Sequence, residues 1–200
     1  MDIHINFKAK ALNELIVQSI REEAADKAME YLDKLMDELP AERARLVSSV
    51  NKYSQQLACL QLKGCIIAHQ WDFDKVVPIF EERLQSHIGY WSKMESGQYA
   101  LDFYRFSEIV TRFILQYVFR YQKELIKDSL DENGVLHILY EDVVSGRYSR
   151  KDSDENFQED STLRDVIRDE ILTCDPSAVT EVDSQDADRL LVRDFHTLDF

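Results

Sequence analysis

The stretch 99-YALDFYRFSEIVTRFILQYVFRYQKELIK-127 is the most apolar part of this 200-residue chain, and its reading decides the fold. Phe103, Phe106, Val110, Phe113, Tyr117, Tyr121 and Leu125 recur at steps of three and four, the spacing of one helical face. Leu101, Tyr104, Ile109, Ile114 and Val118 widen that face. The pattern predicts one long helix over 99–127, buried on more than one side, at the centre of a helical bundle.

Upstream, Leu12, Ile16, Ile20, Ala24, Ala28, Leu32, Leu35 and Leu39 trace a single stripe from about residue 9 to Pro40. Proline disfavours helical geometry at the residue before it, so the helix ends there. Leu46, Val50, Tyr53, Leu57, Leu60, Gly64 and Ile67 then form a heptad-like seam suited to antiparallel packing. Gly64 within that seam predicts close backbone approach. His69 to Asp74 breaks the pattern, with Asp72 or Asp74 placed to cap a third helix. Phe80, Leu84, His87 or Ile88, and Trp91 continue it.

Downstream, Asp131-Glu132-Asn133-Gly134 is a turn, and 135–144 reads as a short helix stopped by Ser145-Gly146. Residues 147–160 read as an exposed loop. Leu163, Val166, Ile167 and Ile171 predict a helix capped by Ser161 or Thr162 and ended by Asp175-Pro176. Ala187, Leu190, Leu191, Phe195 and Leu198 predict a last amphipathic helix. The chain has 5 Gly and 3 Pro where average usage would give about 24 together, a shortage that disfavours turn-rich sheet folds. The expected fold is therefore all-α, an antiparallel bundle of six or seven helices in two packed subregions. Ser96-Gly97-Gln98 divides a three-helix region, 1–96, from a C-terminal helical region, 97–200.

Lys and Arg number 24 against 38 Asp and Glu, a formal charge of −14. Residues 151–200 carry 15 acids and 5 bases, so a net of −10 lies in the last quarter. This balance argues against nucleic acid as a partner, since phosphate must be met by clustered cations, and against an anionic membrane surface. No apolar run approaches the ~18 residues of a membrane span, and the opening MDIHINFKAKALNEL has no signal-peptide core. Cys59, Cys65 and Cys174 form an odd, sparse set that suits thiols in a reducing cytosol. A cytoplasmic protein is expected.

Catalytic patterns are sparse. No H-E-x-x-H, G-x-S-x-G or Gly-rich phosphate loop occurs. His137 and Glu141 stand at i,i+4, but one such pair makes a weak metal site. Asp152, Asp154 and Asn156 imitate the opening of a calcium loop, yet Phe157 and Leu163 stand where it needs Gly and Glu. Cys59 and Cys65 lie roughly 240° apart around a helix and cannot pair. Adjacent acids such as Glu81-Glu82 and Asp169-Glu170 read as solvated helix faces. No catalytic residue, metal or cofactor is expected, and the chain reads as a binding protein rather than an enzyme.

What remains is the acidic block, read as a surface that steers toward a basic partner. Asp152, Asp154, Glu155, Glu159 and Asp160, with Asp165 and Asp169 on the next helix, supply the charge. Tyr148 and Phe157, beside Arg147 and Arg150, supply aromatic anchors.

The order of segments adds a resemblance. The run from Tyr53-Ser54 to Trp71, then VVPIFEERLQSHIGYWSK, YALDFYRFSEIVTRFIL, and Asp131-Glu132-Asn133-Gly134-Val135 to Gly146, resembles the PoNi family over about residues 10–150. Those proteins give bacteria immunity to PoNe-type DNase toxins delivered by secretion systems, type VI among them. The resemblance implies an all-α cytoplasmic protein that binds a cognate nuclease tightly. It transfers no contact residue position by position, and both ends of this chain depart from the family pattern. A nuclease needs a basic cleft for phosphate, so the resemblance and the acidic block converge on one partner class. A homodimer stays open. The alternatives are a helical adaptor or chaperone that receives a partner helix in a groove between bundles, and a helical enzyme with convergent carboxylates.

Overall fold

The apolar stripe ending at Pro40 is carried by two helices rather than one. The computed structural model describes residues 11–12, 14–20, 22, 24–38, 43–104, 106–140 and 162–195. The helix α1 lies within residues 11–20, a turn follows at Glu22, and α2 covers Ala25–Glu38. Leu12, Ile16, Ala28 and Leu32 are buried, as the stripe requires. The chain divides into two units, Met1–Gly89 and Tyr90–Phe200.

In the first unit, α3 covers Arg43–Ala68. The expected seam is only partly its buried face. Leu57, Ala58, Leu62 and Ile66 are buried, whereas Gly64 is exposed and Ile67 is 53% exposed. A Cβ added to Gly64 would meet nothing within 4 Å, which overturns the expected close approach. The helix carries two apolar stripes, and spacing alone does not say which one meets the neighbours. The stripe with Leu62 and Ile66 offers more surface to bury than one interrupted by glycine, and it is the buried one. Left-handed φ angles at Gln70 (52°) and Trp71 (62°) end the helix. Asp72 precedes α4, Phe73–Ile79, but makes no side-chain cap; its carboxylate instead lies 2.6 Å from Lys75 Nζ. A π-helical turn at Phe80–Leu84 follows, and Phe80, Leu84 and Ile88 are buried while His87 is exposed.

The second unit corrects the all-α expectation. Residues 99–127 do not form one helix: Tyr99–Asp102 is a strand, and helix begins at Glu108. Five strands make a mixed sheet: β1 (Trp91–Lys93), β2 (Tyr99–Asp102), β3 (Leu136–Leu139), β4 (Val179–Val182) and β5 (Arg189–Arg193). Their order is β1-β2-β3-β5-β4. Only β2 and β3 are parallel, and the helices α5 (Glu108–Tyr121) and α6 (Lys123–Ser129) make the crossover a parallel pair requires. The helix α7, Leu163–Cys174, packs on α5. The expected helices at 135–144 and 187–198 are overturned over their described residues, which include β3 and β5. Ser145-Gly146 lies outside the described residues.

The register explains why strands form here. Leu101 pairs with Ile138, Ile138 with Leu190, and Leu136 with Val192, and all five side chains are buried. Each such side chain contributes about 1.5–3 kcal/mol on leaving water. The core continues into α5, where Val110, Phe113, Ile114, Leu115, Val118 and Phe119 are buried. Tyr121, however, is 53% exposed and Leu125 38%. Ser96-Gly97-Gln98 lies in the β1–β2 turn, with Gly97 at φ +91°.

Turns in this unit are built largely from aspartate. A carboxylate oxygen accepts the N–H two residues on at Asp102 (Tyr104, 3.0 Å), Asp131 (Asn133, 2.8 Å), Asp175 (Ser177, 3.1 Å), Asp183 (Gln185, 2.9 Å) and Asp186 (Asp188, 3.2 Å). Such a side chain imitates a backbone turn, so it replaces much of the work of Gly and Pro. The low Gly and Pro count therefore did not exclude a sheet.

Candidate functional site

Of the residues expected to meet a partner, Tyr148, Asp152, Asp154, Glu155, Phe157, Glu159 and Asp160 lie outside the described residues. Asp165 and Asp169 stand one turn apart on α7. Asp165 is engaged in holding the helix start. Thr162 Oγ1 donates to Asp165 Oδ2 at 2.7 Å and accepts the Asp165 N–H at 3.3 Å, while the Thr162 N–H donates to the same carboxylate. This capping box satisfies N–H groups that the first turn leaves unpaired. The Thr162 hydroxyl, with the Thr162 N–H and nearby Arg164 and Arg168, holds the Asp165 carboxyl below the usual aspartate value. Asp169 is exposed. Arg164 and Arg168 match these two acids in number on the same helix.

Among the described residues of the last quarter, the larger acidic excess lies elsewhere. From Val179 to Asp194 the β4–β5 hairpin carries Glu181, Asp183, Asp186, Asp188 and Asp194 against Arg189 and Arg193, a net of −3. Both arginines are paired within the hairpin. Arg189 places Nη1 3.4 Å from Asp183 and Nη2 3.1 Å from Asp186, and Arg193 pairs with Glu181 across the strands. Asp188 and Asp194 are exposed. The edge strand β4 also leaves Val179 39% and Val182 43% exposed. These residues were missed because 187–198 was read as a helix. A local signal is present: a cluster of Asp, Ser and Gln stands between the β-branched run Val179-Thr180-Glu181-Val182 and the apolar run Leu190-Leu191-Val192, as in a hairpin.

Two acids of the same quarter face inward. Glu170 is 4% exposed and joins α7 to α5, accepting from Arg112 Nη1 at 3.1 Å and Gln116 Nε2 at 2.7 Å. Arg112 also pairs with Glu108 at 3.1 Å. Burial opposes the charge on Arg112, but the two carboxylates outweigh it and raise its pKa. Asp175 is 1% exposed and accepts from both the N–H and the hydroxyl of Ser177. Part of the acidity is thus internal architecture, and among the described residues the hairpin carries the largest solvent-facing share.

A second polar pair sits at the start of β3. Asp131 Oδ2 lies 3.2 Å from His137 Nε2, and Asp131 Oδ1 accepts from the N–H groups of Asn133 and Val135. Burial opposes ionisation of Asp131, yet those N–H groups and His137 hold the carboxyl below the usual aspartate value. The three cysteines are unpaired. Burial pushes the Cys59 thiol up to about 12 and, with Glu170 adding to it, the Cys174 thiol up to about 11. A thiol held protonated is a poor nucleophile.

Among the described residues, no group of three or more His, Cys, Asp or Glu side chains is arranged to hold a metal ion. Among them, too, no helix is long and apolar enough to cross a membrane. Comparisons with protein-family models, curated proteins and solved structures find no match to this chain.

Proposed function

We propose that this chain is a non-catalytic binding protein that recognises a basic protein through its acidic C-terminal unit, and that this partner is a cognate DNase toxin, which it neutralises. The observation that carries the reading is the β4–β5 hairpin. Its two arginines are ion-paired within the hairpin, while Asp188, Asp194 and two edge valines are exposed to solvent. One sign of charge raised on a low-dielectric body speeds encounter with the opposite sign and repels wrong partners. A nuclease surface shaped for phosphate is such a target. The mixed sheet is not the all-α fold that the PoNi resemblance implied, so the proposal rests on the surface rather than on the resemblance. The adaptor alternative presupposes a second helical bundle, where the chain instead has a sheet.

The test is co-purification with the products of neighbouring genes, followed by a nuclease assay with and without this protein. A captured nuclease whose activity falls at equimolar protein supports the reading. The combined variant Asp152→Lys, Asp154→Lys, Asp169→Lys and Asp188→Lys should slow association by about tenfold or more at low salt, with a smaller difference at high salt. Unchanged association, with the circular dichroism spectrum intact, would remove the acidic surface from the mechanism.

A further inference from the structure

The first unit contains a cleft of about 750 Å³, within the range of small-molecule sites. It opens beside the stripe of α3 that was expected to be buried. Leu60, Gly64 and Ile79 contribute to its lining, and Gly64 leaves space that any side chain would enter. Its charged lining runs against the rest of the chain. Lys27 and Arg83 stand there against Asp26 alone, in a protein with 38 acids and 24 bases. His69 also lines the cleft. The neighbouring Glu82 approaches Arg83 only to 3.9 Å, and both side chains are more than 70% exposed. Water screens a pair of that kind, which leaves the guanidinium open to another anion.

We propose that this cleft binds a small amphipathic anion, with a carboxylate head against Lys27 and Arg83 and an apolar body over Leu60, Gly64 and Ile79. Charge decides the class of occupant. A second copy of a chain at −14 would be repelled as a whole, whereas a small anion meets the cationic side chains of Lys27 and Arg83 at the cleft. The volume exceeds what a bare inorganic anion would fill, and the apolar lining has no use for one.

The experiment is calorimetric titration of the full chain with decanoate and with decyltrimethylammonium, both below their micelle concentrations. The two probes share an apolar body and differ in the sign of the head. Decanoate should bind about tenfold or more tightly than the cation, and Arg83→Glu should remove that preference. Gly64→Phe should weaken both probes, because it fills the space beneath the apolar body. Circular dichroism checks the fold of each variant, and Arg83→Glu changes only an exposed side chain if Gly64→Phe fails to fold. Absence of decanoate binding, equal affinity for the two probes, or wild-type affinity in folded Arg83→Glu would each overturn the proposal.

Discussion

Replacing Gly64 by alanine tests the placement of α3 directly. Gly64 sits four residues before the end of the 26-residue helix Arg43–Ala68, and within a helix glycine is less favourable than alanine by up to about 0.8–1 kcal/mol. The penalty arises because the unfolded chain has more freedom to lose at glycine. Two structural terms could cancel the gain, and neither does. The φ of Gly64 lies outside the left-handed region, so alanine adopts the backbone without strain. The new Cβ meets nothing within 4 Å, so no neighbour must move. The added methyl also faces the cleft, so little burial is gained. The expected outcome is a stabilisation of about 0.5–1 kcal/mol. With a urea slope of about 1–2 kcal/mol/M, the midpoint followed at 222 nm should rise by roughly 0.5 M. A midpoint that falls would mean that the Cβ meets a packed neighbour. That result would restore the close approach expected from the seam and would abolish the cleft, so it refutes both together.

Further outcomes follow from both units. Glu170→Ala leaves Arg112 and Gln116 facing a partly dry interior and should cost roughly 2–3 kcal/mol, below the full buried-pair penalty because Arg112 is 30% exposed. Glu108→Ala removes the exposed arm of the same cluster and should cost about 0.5 kcal/mol or less; equal losses in thermal denaturation would discount the clamp. Asp131 has its folded pKa depressed, so its contribution is present above the unfolded value near 3.8 and is lost as pH falls through the lower folded value. Asp131→Asn should therefore flatten the acid limb of the stability–pH curve, and an unaltered limb would count against the His137 and backbone contacts. Finally, Cys59 and Cys174, with thiols near 12 and 11, should stay unlabelled by iodoacetamide at pH 8 in the native protein and label on denaturation. Native labelling at either site, mapped by mass spectrometry, would contradict their burial.

A cap for α7 at Ser161 or Thr162, its end at Asp175 and the turn at 131–134 were legible, because caps and tight turns depend on residues within four positions of one another, and the structure puts the cap at Thr162. Burial of Phe103, Phe106, Val110, Phe113 and Tyr117 was legible too, since large apolar side chains leave water whatever the backbone does. Their backbone was not. Over four residues, Tyr99 to Asp102 satisfies a helical stripe as readily as a strand. Leu190, Leu191 and Val192 suit either as well. The candidate site inherited that ambiguity: Asp188 and Asp194 belong to an exposed hairpin only once 187–198 is known not to be a helix.

By itself, the sequence determined what is local or additive: the acidity of the last quarter, the helical character of 43–68 and 163–174, and the burial of large apolar side chains such as Phe103, Val110 and Phe113. Only the tertiary structure decided that Leu101, Ile138 and Leu190 lie side by side. Those residues come from distant parts of the chain, and a strand's backbone hydrogen bonds are made by its partner rather than by its own neighbours. The same step sorted the acids. Asp131, Asp175, Asp183 and Asp186 were drawn into turns and Glu170 into the α5–α7 contact, which left Asp188 and Asp194 of the hairpin exposed to solvent.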